Sequence, residues 1–434
     1  MARAMKDSGI EWIGEIPANW ECVPIRSLFQ EVNRKNLQGL VTKALKFTYG
    51  EIVAKTGFEA EEDNYVANTI QNYTIVEPGT IMLNGLNLNF DFVTRRIGLV
   101  KEQGVITSAY LAFRPIDSQK MMPEYATYLL KSYDHCKAFH NMGGGVRKIL
   151  NFSELKHQYV LNLRLDIQQS IVAFLDDKCA EIDVLMADVQ VQIETLEQYK
   201  RSVITEAVTK GLNPNASMKD SGTAWIDTIP SHWFLIPAKY MFHNSDLRRI
   251  GDDVLLTSSQ KYGIISQIDY MERENAKIVL ANKGIEDWKH VEPYDFIISL
   301  RSFQGGLEMS EITGCITWHY VVLKASRTIA PKYYKWLFKS QSYITALQRT
   351  CNFIRDGQDL RFSNFSQVPL PEPPIEEQEA IAAYLDTKCA EIDAIIDGKR
   401  QQMATLEEYK KSIIFEYVTG KKEVPISCPQ SAMK

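Results

Sequence analysis

Two stretches of this 434-residue chain carry apolar residues at spacings of three and four. The first runs Ile171, Phe174-Leu175, Ile182, Leu185, Val189, Ile193, Leu196, Tyr199 and Val203. The second runs Ile381, Leu385, Ile392, Ile395-Ile396, Met403, Leu406, Tyr409 and Ile413. That period predicts amphipathic helices of about 40 residues, each about 60 Å long at about 1.5 Å per residue. Asp166 offers an N-cap with Gln169 three residues on, and Gly211 and Pro214 supply a stop. The second helix is expected to start after Pro373-Pro374 and to end near Gly420. A narrow apolar stripe on so long a helix suits pairing with another helix. Elsewhere the period is two. Residues Val105–Phe113 and Ile316–Leu323 alternate as strands do, and Val76–Leu83 reads as a turn leading into a strand. Helical spacing returns over Pro123–His140 and Pro331–Gln348. The predicted class is α+β, with two mixed α/β globular parts and two long helices.

The order of these elements repeats because the sequence does. Met5–Gly9, Trp12-Ile13, Ile16-Pro17, Trp20, Pro24 and Phe29 recur as Met218–Gly222, Trp225-Ile226, Ile229-Pro230, Trp233, Pro237 and Phe242. Further on, Val76-Glu77-Pro78 matches Val291-Glu292-Pro293, and Phe152-Ser153 matches Phe362-Ser363. Lys178–Asp183 and Lys388–Asp393 are both K-C-A-E-I-D, and L-E-x-Y-K recurs at Leu196–Lys200 and Leu406–Lys410. A collinear series of this kind means duplication. It divides the chain into globular residues 1–164, helical 165–217, globular 218–374, helical 375–425 and a tail at 426–434. The two helical segments are near copies, so each is the other's natural partner. An antiparallel coiled coil would put one globular domain at each end, with pseudo-twofold symmetry.

Charge alters this picture little. The formal net charge is −5, and the acid is concentrated in the helical segments, while the two globular parts are close to neutral. A neutral domain can still present a basic face. Seven cysteines without C-x-x-C spacing suggest reduced thiols rather than a disulfide frame or a zinc site. No long apolar run indicates a membrane span, and the first residues have no apolar core of a signal peptide, so a cytoplasmic protein is expected.

No catalytic centre is legible. A phosphate-binding G-x-x-x-x-G-K-S/T, an H-E-x-x-H and the F-x-G-x-G and N/D-P-P-Y/F loops of an adenine methyltransferase are all missing. Pro371–Ile375 only approaches the last of these, and Glu154-Leu155-Lys156 lacks an acidic partner. Cys179 and Cys389 read as small helix-packing residues, and Trp12, Trp20, Trp225 and Trp233 as core anchors. What remains is a set of basic and amide residues in turn-like stretches. In the first half these are Asn87 within Asn84–Asn89, Arg95, Arg96, Arg147 and Lys148. In the second half they are Arg248, Arg249, Arg301, Gln304, Arg355 and Arg361. Lys and Arg neutralise phosphates, while Arg reads guanine and Asn or Gln reads adenine through paired hydrogen bonds. The loops after the two V-E-P strands are aligned, yet one carries Asn and the other Arg and Gln. Equal scaffolds with unequal polar tips would read two different sequences.

The K-D-S-G-x-x-W-I-x-x-I-P-x-x-W openings at Lys6–Trp20 and Lys219–Trp233 resemble the specificity subunits of type I restriction-modification enzymes. So do the helix openings with Gln168 or Gln378 followed by F/Y-L-D-x-K-C-A-E-I-D, the L-E-x-Y-K segments, and Ile298–Gly306. The resemblance spans essentially the whole chain. It implies two target-recognition domains, each binding half of a bipartite double-stranded DNA site, with the helices setting the gap. It also implies partners: two modification subunits that use S-adenosylmethionine to methylate adenine, and restriction subunits that use ATP and Mg2+. No cofactor, metal or catalytic residue is then expected on this chain. Two other classes compete with this reading: a methyltransferase or nuclease with fused recognition domains, and a duplicated scaffold that binds proteins.

Overall fold

The computed structural model describes residues 3–56, 70–144, 148–259, 261–275, 284–298, 307–350 and 360–425. The chain forms two compact units. The first comprises residues 1–189 with 401–434, and the second residues 190–400. Arg147, Arg301, Gln304 and Arg355 lie outside the described residues, as do residues 299–306 and 426–434 as a whole.

Each unit is built on a four-stranded antiparallel sheet. In the first, the strand order is Phe29–Glu31, Leu111–Pro115, Ile81–Leu83, Ile97–Leu99. In the second it is Phe242–Ser245, Val321–Ala325, Phe296–Ile298, Glu308–Met309. Ile81–Leu83 and Phe296–Ile298 are fully buried, as continuous apolar runs require. The expected single strands over 105–113 and 316–323 are each two strands. Gly104–Ile106 and Leu111–Pro115 flank a turn that Tyr110 closes by donating its N–H to the Thr107 carbonyl at 3.4 Å. Gly314–Ile316 and Val321–Ala325 flank the equivalent turn. The halves of each run then join different sheets.

The long helices run Leu165–Lys210 and Ile375–Val418. Asp166 lies inside the first turn rather than at the cap. Gln168, not Gln169, ties down the start: its Oε1 accepts from Met122 N at 2.8 Å, and its Nε2 donates to the Leu163 and Lys120 carbonyls. Gln378 does the same with Ala330 N and the Pro373 carbonyl. Both glutamines are buried with their hydrogen-bonding groups used, which a buried polar group needs.

Within each unit the two helices pack in opposite senses. In the first, Ile171, Leu175 and Ile182 share a core with Ile413, Ile414 and Val418, Phe174 packs on Tyr417, and Lys410 pairs with Asp183 at 2.6 Å. In the second, Val203, Ala207 and Val208 share a core with Ile381, Leu385 and Cys389, and Lys200 pairs with Asp393 at 2.6 Å. As residue numbers rise on one helix they fall on the other, so the pairing is antiparallel. Buried Cys179 and Cys389 pack in these cores, as the sequence suggests.

The repeated opening segments close each unit over a helix end. Trp20 and Trp233 are buried. Gly420, at φ 71°, lies beneath Trp20, and a Cβ there would come within 2.7 Å of the indole and of Pro17. Gly211, at φ 75°, sits against Trp233 with a Cβ distance of 3.1 Å. A left-handed glycine ends a helix at no steric cost, and here it also admits the indole. The orphan carbonyls nearby are satisfied by side chains. Tyr125 donates its hydroxyl to Val418 O at 3.0 Å, and Tyr333 donates to Val208 O at 2.8 Å. No described helix is long and apolar enough to cross a membrane.

Candidate nucleic-acid interface

Beyond the buried strand Ile81–Leu83 the first unit extends a loop, residues 84–94, before the sheet resumes at Ile97. Arg96 organises this loop. Its side chain is fully buried; Nη1 donates to the Asn84 and Leu86 carbonyls at 2.8 and 2.9 Å, and Nη2 donates to the Asp91 carbonyl. Its backbone N–H donates to Asp134 Oδ2 at 2.8 Å. Burial lowers the Arg96 pKa, and Asp91 and Asp134 oppose that shift. Arg96 therefore cannot meet a ligand, and it is corrected from candidate contact to scaffold.

Asp91 fixes the far side of the loop. Its carboxylate accepts from Thr94 N at 3.0 Å and Val93 N at 3.1 Å. Hydrogen bonds from Thr94, first from its side chain and then from its backbone, bring the Asp91 pKa down to about 2. Lys137 Nζ reaches the Phe92 carbonyl, and the Phe92 ring stacks on His140 at 4.6 Å. The loop is thus braced from within, and its outer surface is free. Asn87 is exposed at φ 53°, and Phe90, Phe92 and Val93 project into solvent. Lys148 comes alongside: its carbonyl accepts from Leu88 N at 3.2 Å, and Leu150 N donates to Gly85 O at 3.0 Å. The structure brings Asn87, Arg96 and Lys148 together. Arg95 is turned away, pairing with Glu407 on the second long helix. Successive side chains of an extended segment point to opposite faces, so Arg95-Arg96 is not a tandem basic pair.

In the second unit Arg248 is exposed and pairs with the Asp287 carboxylate at 2.7 Å. Arg249 is half-buried, with Nη2 3.4 Å from the Asp253 carbonyl. Arg361 is exposed and opens the short helix Phe362–Phe365, its N–H donating to Asn364 Oδ1 at 3.1 Å. Two hairpins escaped the sequence reading. Leu45–Thr48 and Glu51–Ala54 are joined by Tyr49-Gly50, both at positive φ, and Tyr49 is 86% exposed. Two residues of that kind between short strands are the usual hairpin signal, diluted here by Tyr in place of Asn or Asp. The second hairpin, Leu256–Ser259 with Gly263–Ser266, leads to Tyr262, which lies beneath Lys261 and Arg273 at 4.8 and 5.2 Å. Trp318 is also exposed. These solvent-facing aromatics and cations complement the polar loop tips, since bases stack on rings and phosphates pair with cations. Among the described residues no group of His, Cys, Asp and Glu is arranged to hold a metal ion.

No family model matches the chain. It is similar to the putative type I restriction enzyme MjaX specificity subunit of Methanocaldococcus jannaschii, at 23% identity over 94% of this chain and 95% of that one. It is also similar to the MjaVIII specificity subunit of the same organism, at 22% identity over 94% and 93%. Among solved structures, a chain from a study of complex assembly and conformational transition of the type I R-M system superposes with a TM-score of 0.67. That match covers 94% of this chain and 99% of the other at 13% identity, and it shows a shared fold. The resemblance carried by the repeated motifs is borne out: along nearly its whole length the chain has relatives named as type I specificity subunits.

Proposed function

We propose that this chain is the specificity subunit of a type I restriction-modification enzyme, a non-catalytic reader of a bipartite double-stranded DNA target. Residues 1–164 and 218–374 act as two target-recognition domains, one for each half-site, and the helical segments 165–217 and 375–425 set the gap. The single observation that carries the reading is the duplicated scaffold with unequal surfaces, found in a chain similar from end to end to named specificity subunits. Both units share one sheet order, while the first offers an Asn- and Phe-bearing loop and the second an Arg-, Lys- and Tyr-bearing surface. Contacts to phosphate position such a reader, and contacts to base edges give it sequence. Asn87 in the first unit, and Arg248 and Arg361 in the second, are exposed, and Lys148 is half-buried beside Asn87; all four are suited to these roles. Methylation then belongs to two modification subunits carrying S-adenosylmethionine, and cleavage to restriction subunits using ATP and Mg2+.

The test is domain exchange. Residues 218–374 are replaced by the equivalent part of a relative, and methylated adenines are mapped across the host genome. One half of the methylated site should change while the other half and the gap persist. A change in both halves would end the two-reader model, and methyl transfer by the purified chain alone would end the non-catalytic one.

A further inference from the structure

We propose that a cavity beside Lys131 in the first unit is a binding site for a phosphate group. The cavity measures about 320 Å3 and lies between the Tyr49-Gly50 turn, Arg95, the helix Pro123–His135 and the two long helices. Its acids are largely committed. Asp183 is held by Lys410 and Glu407 by Arg95; Asp176 accepts from the Tyr128 hydroxyl at 2.7 Å, and Asp134 from Arg96 N at 2.8 Å. Glu51 is left over, and so is the second oxygen of Asp134, Oδ1, which is buried without a partner. Among the described residues, Lys101 and Lys131 have no ion pair, and His135 Nδ1 is buried without a hydrogen-bond partner. The wall therefore has spare donors, and the charges that act most on His135 are cations: Lys411, Arg95, Lys131 and Lys137. Burial lowers the Lys131 pKa, and Lys410 lowers it further; burial likewise takes His135 down to about 4, so at neutral pH it is an uncharged donor.

The duplication supplies the control. Lys131 corresponds to Lys339, which forms an ion pair with Glu308 on the last strand of its sheet. Glu308 lies opposite Ile297, just as Gly98 lies opposite Met82 in the first unit. Gly98 thus stands where the second unit has its carboxylate. A side chain cannot easily grow there: a Cβ would come within 3.1 Å of Ile52 and 3.2 Å of Gly50 O. The first unit has the half-buried lysine without an ion pair of this kind, Glu51 acting on it only through the cavity, and it has room for an anion from outside. A tetrahedral dianion or diester oxygen suits converging ammonium and imidazole donors.

The phosphate has two sources, free phosphate and the backbone of DNA, and only the second rests on the proposed function. In one arm, the full-length chain is titrated with inorganic phosphate at fixed ionic strength. Broadening of the 31P resonance reports binding, and acylation of wild-type Lys131 mapped by mass spectrometry reports the location. Phosphate should shield Lys131, and Lys131→Gln should weaken binding about tenfold. In the other arm, duplex DNA affinity is measured against salt. If the backbone is the source, Lys131→Gln reduces the slope by about one, whatever the sequence; an unchanged slope with phosphate shielding identifies free phosphate. Lack of shielding and broadening together with an unchanged slope would overturn the proposal, as would equal responses from wild type and variant. Because shielding is read on the wild type, the test survives a variant that fails to fold. A chain that binds phosphate but no DNA would retain this site and lose the reading above.

Discussion

The two units are copies that agree in their joints and differ in their surfaces. Both hold a helix end with a tyrosine hydroxyl, clamp a helix start with a buried glutamine, and seat a tryptophan on a left-handed glycine. They part company beside the helix that follows the sheet. There the first unit has Gly98, Lys131 and His135, and the second has Glu308, Lys339 and Tyr343. The second neutralises its lysine internally, and the first does not. Residues that fix the scaffold thus recur, while charge and shape facing cavities and solvent diverge. In a protein proposed to read two unlike half-sites, that is the division of labour duplication makes possible.

Four experiments break or sharpen the comparison, each read by hydrogen exchange on peptides of the separate units. Arg96→Met should have the largest effect. It leaves carbonyls of Asn84, Leu86 and Asp91 without their donor and should destabilise the first unit by about 3 kcal/mol or more, with the 84–94 loop exchanging fastest. Equal exchange in both units would show that Arg96 is not the brace. Lys339→Met comes next. It strands Glu308 in a mostly buried position and should cost the second unit about 2–3 kcal/mol. Lys131→Met, which removes an unpaired cation, should be neutral or stabilising in buffer free of phosphate. Similar losses from both would erase the asymmetry.

The glycines should rank by clearance. Gly420→Ala meets Pro17 and Trp20 at 2.7 Å and should cost about 2 kcal/mol, whereas Gly211→Ala, at 3.1 Å from Trp233, should cost about 1 kcal/mol. The reverse order would mean that the two helix ends are not held alike. The smallest effect is a pH dependence. His135 has a folded pKa of about 4, below the unfolded value of about 6.5, so the folded state binds fewer protons between them. The stability it contributes is present above about pH 6.5 and is lost as pH falls towards 4. His135→Gln should flatten that slope in the first unit. Tyr343 occupies this position in the second unit and does not titrate in the range. A slope unchanged by His135→Gln would place its origin elsewhere.

Much of the scaffold was legible in the sequence because its signals are local or doubled. The three-four spacing of Ile171 to Val203 specifies a helix without help from the fold, and the repeated K-D-S-G-x-x-W-I announces two copies. Trp20 and Trp233 prove to be the core anchors they suggest. The strand break at Thr107–Tyr110 was not legible, since no Gly or Pro marks it. Nor was Arg96, whose burial depends on carbonyls gathered from residues 84, 86 and 91 by a loop that only the folded chain defines. Gly98 carried no sign of its meaning until Glu308 was seen in the equivalent place. Asn87, Lys148, Arg248 and Arg361 remain on the surface, which fits a contact role, while their base preferences depend on the geometry of bound DNA.

The composition of the two units has a consequence in time. The second unit is continuous, from residue 190 to 400, whereas the first needs residues 401–434 as well as 1–189. Ile413, Ile414 and Val418 complete the first core, and Tyr125 bonds to a carbonyl 293 residues further along the chain. On a ribosome adding about 5–20 residues per second, the half made first must wait roughly ten to fifty seconds for its closing strip, while the half made second is finished before it. During that interval the first unit exposes the apolar faces of Ile171, Leu175 and Ile182. Synthesis order and completion order are therefore opposite, and the earliest segment made is the one most in need of protection from aggregation.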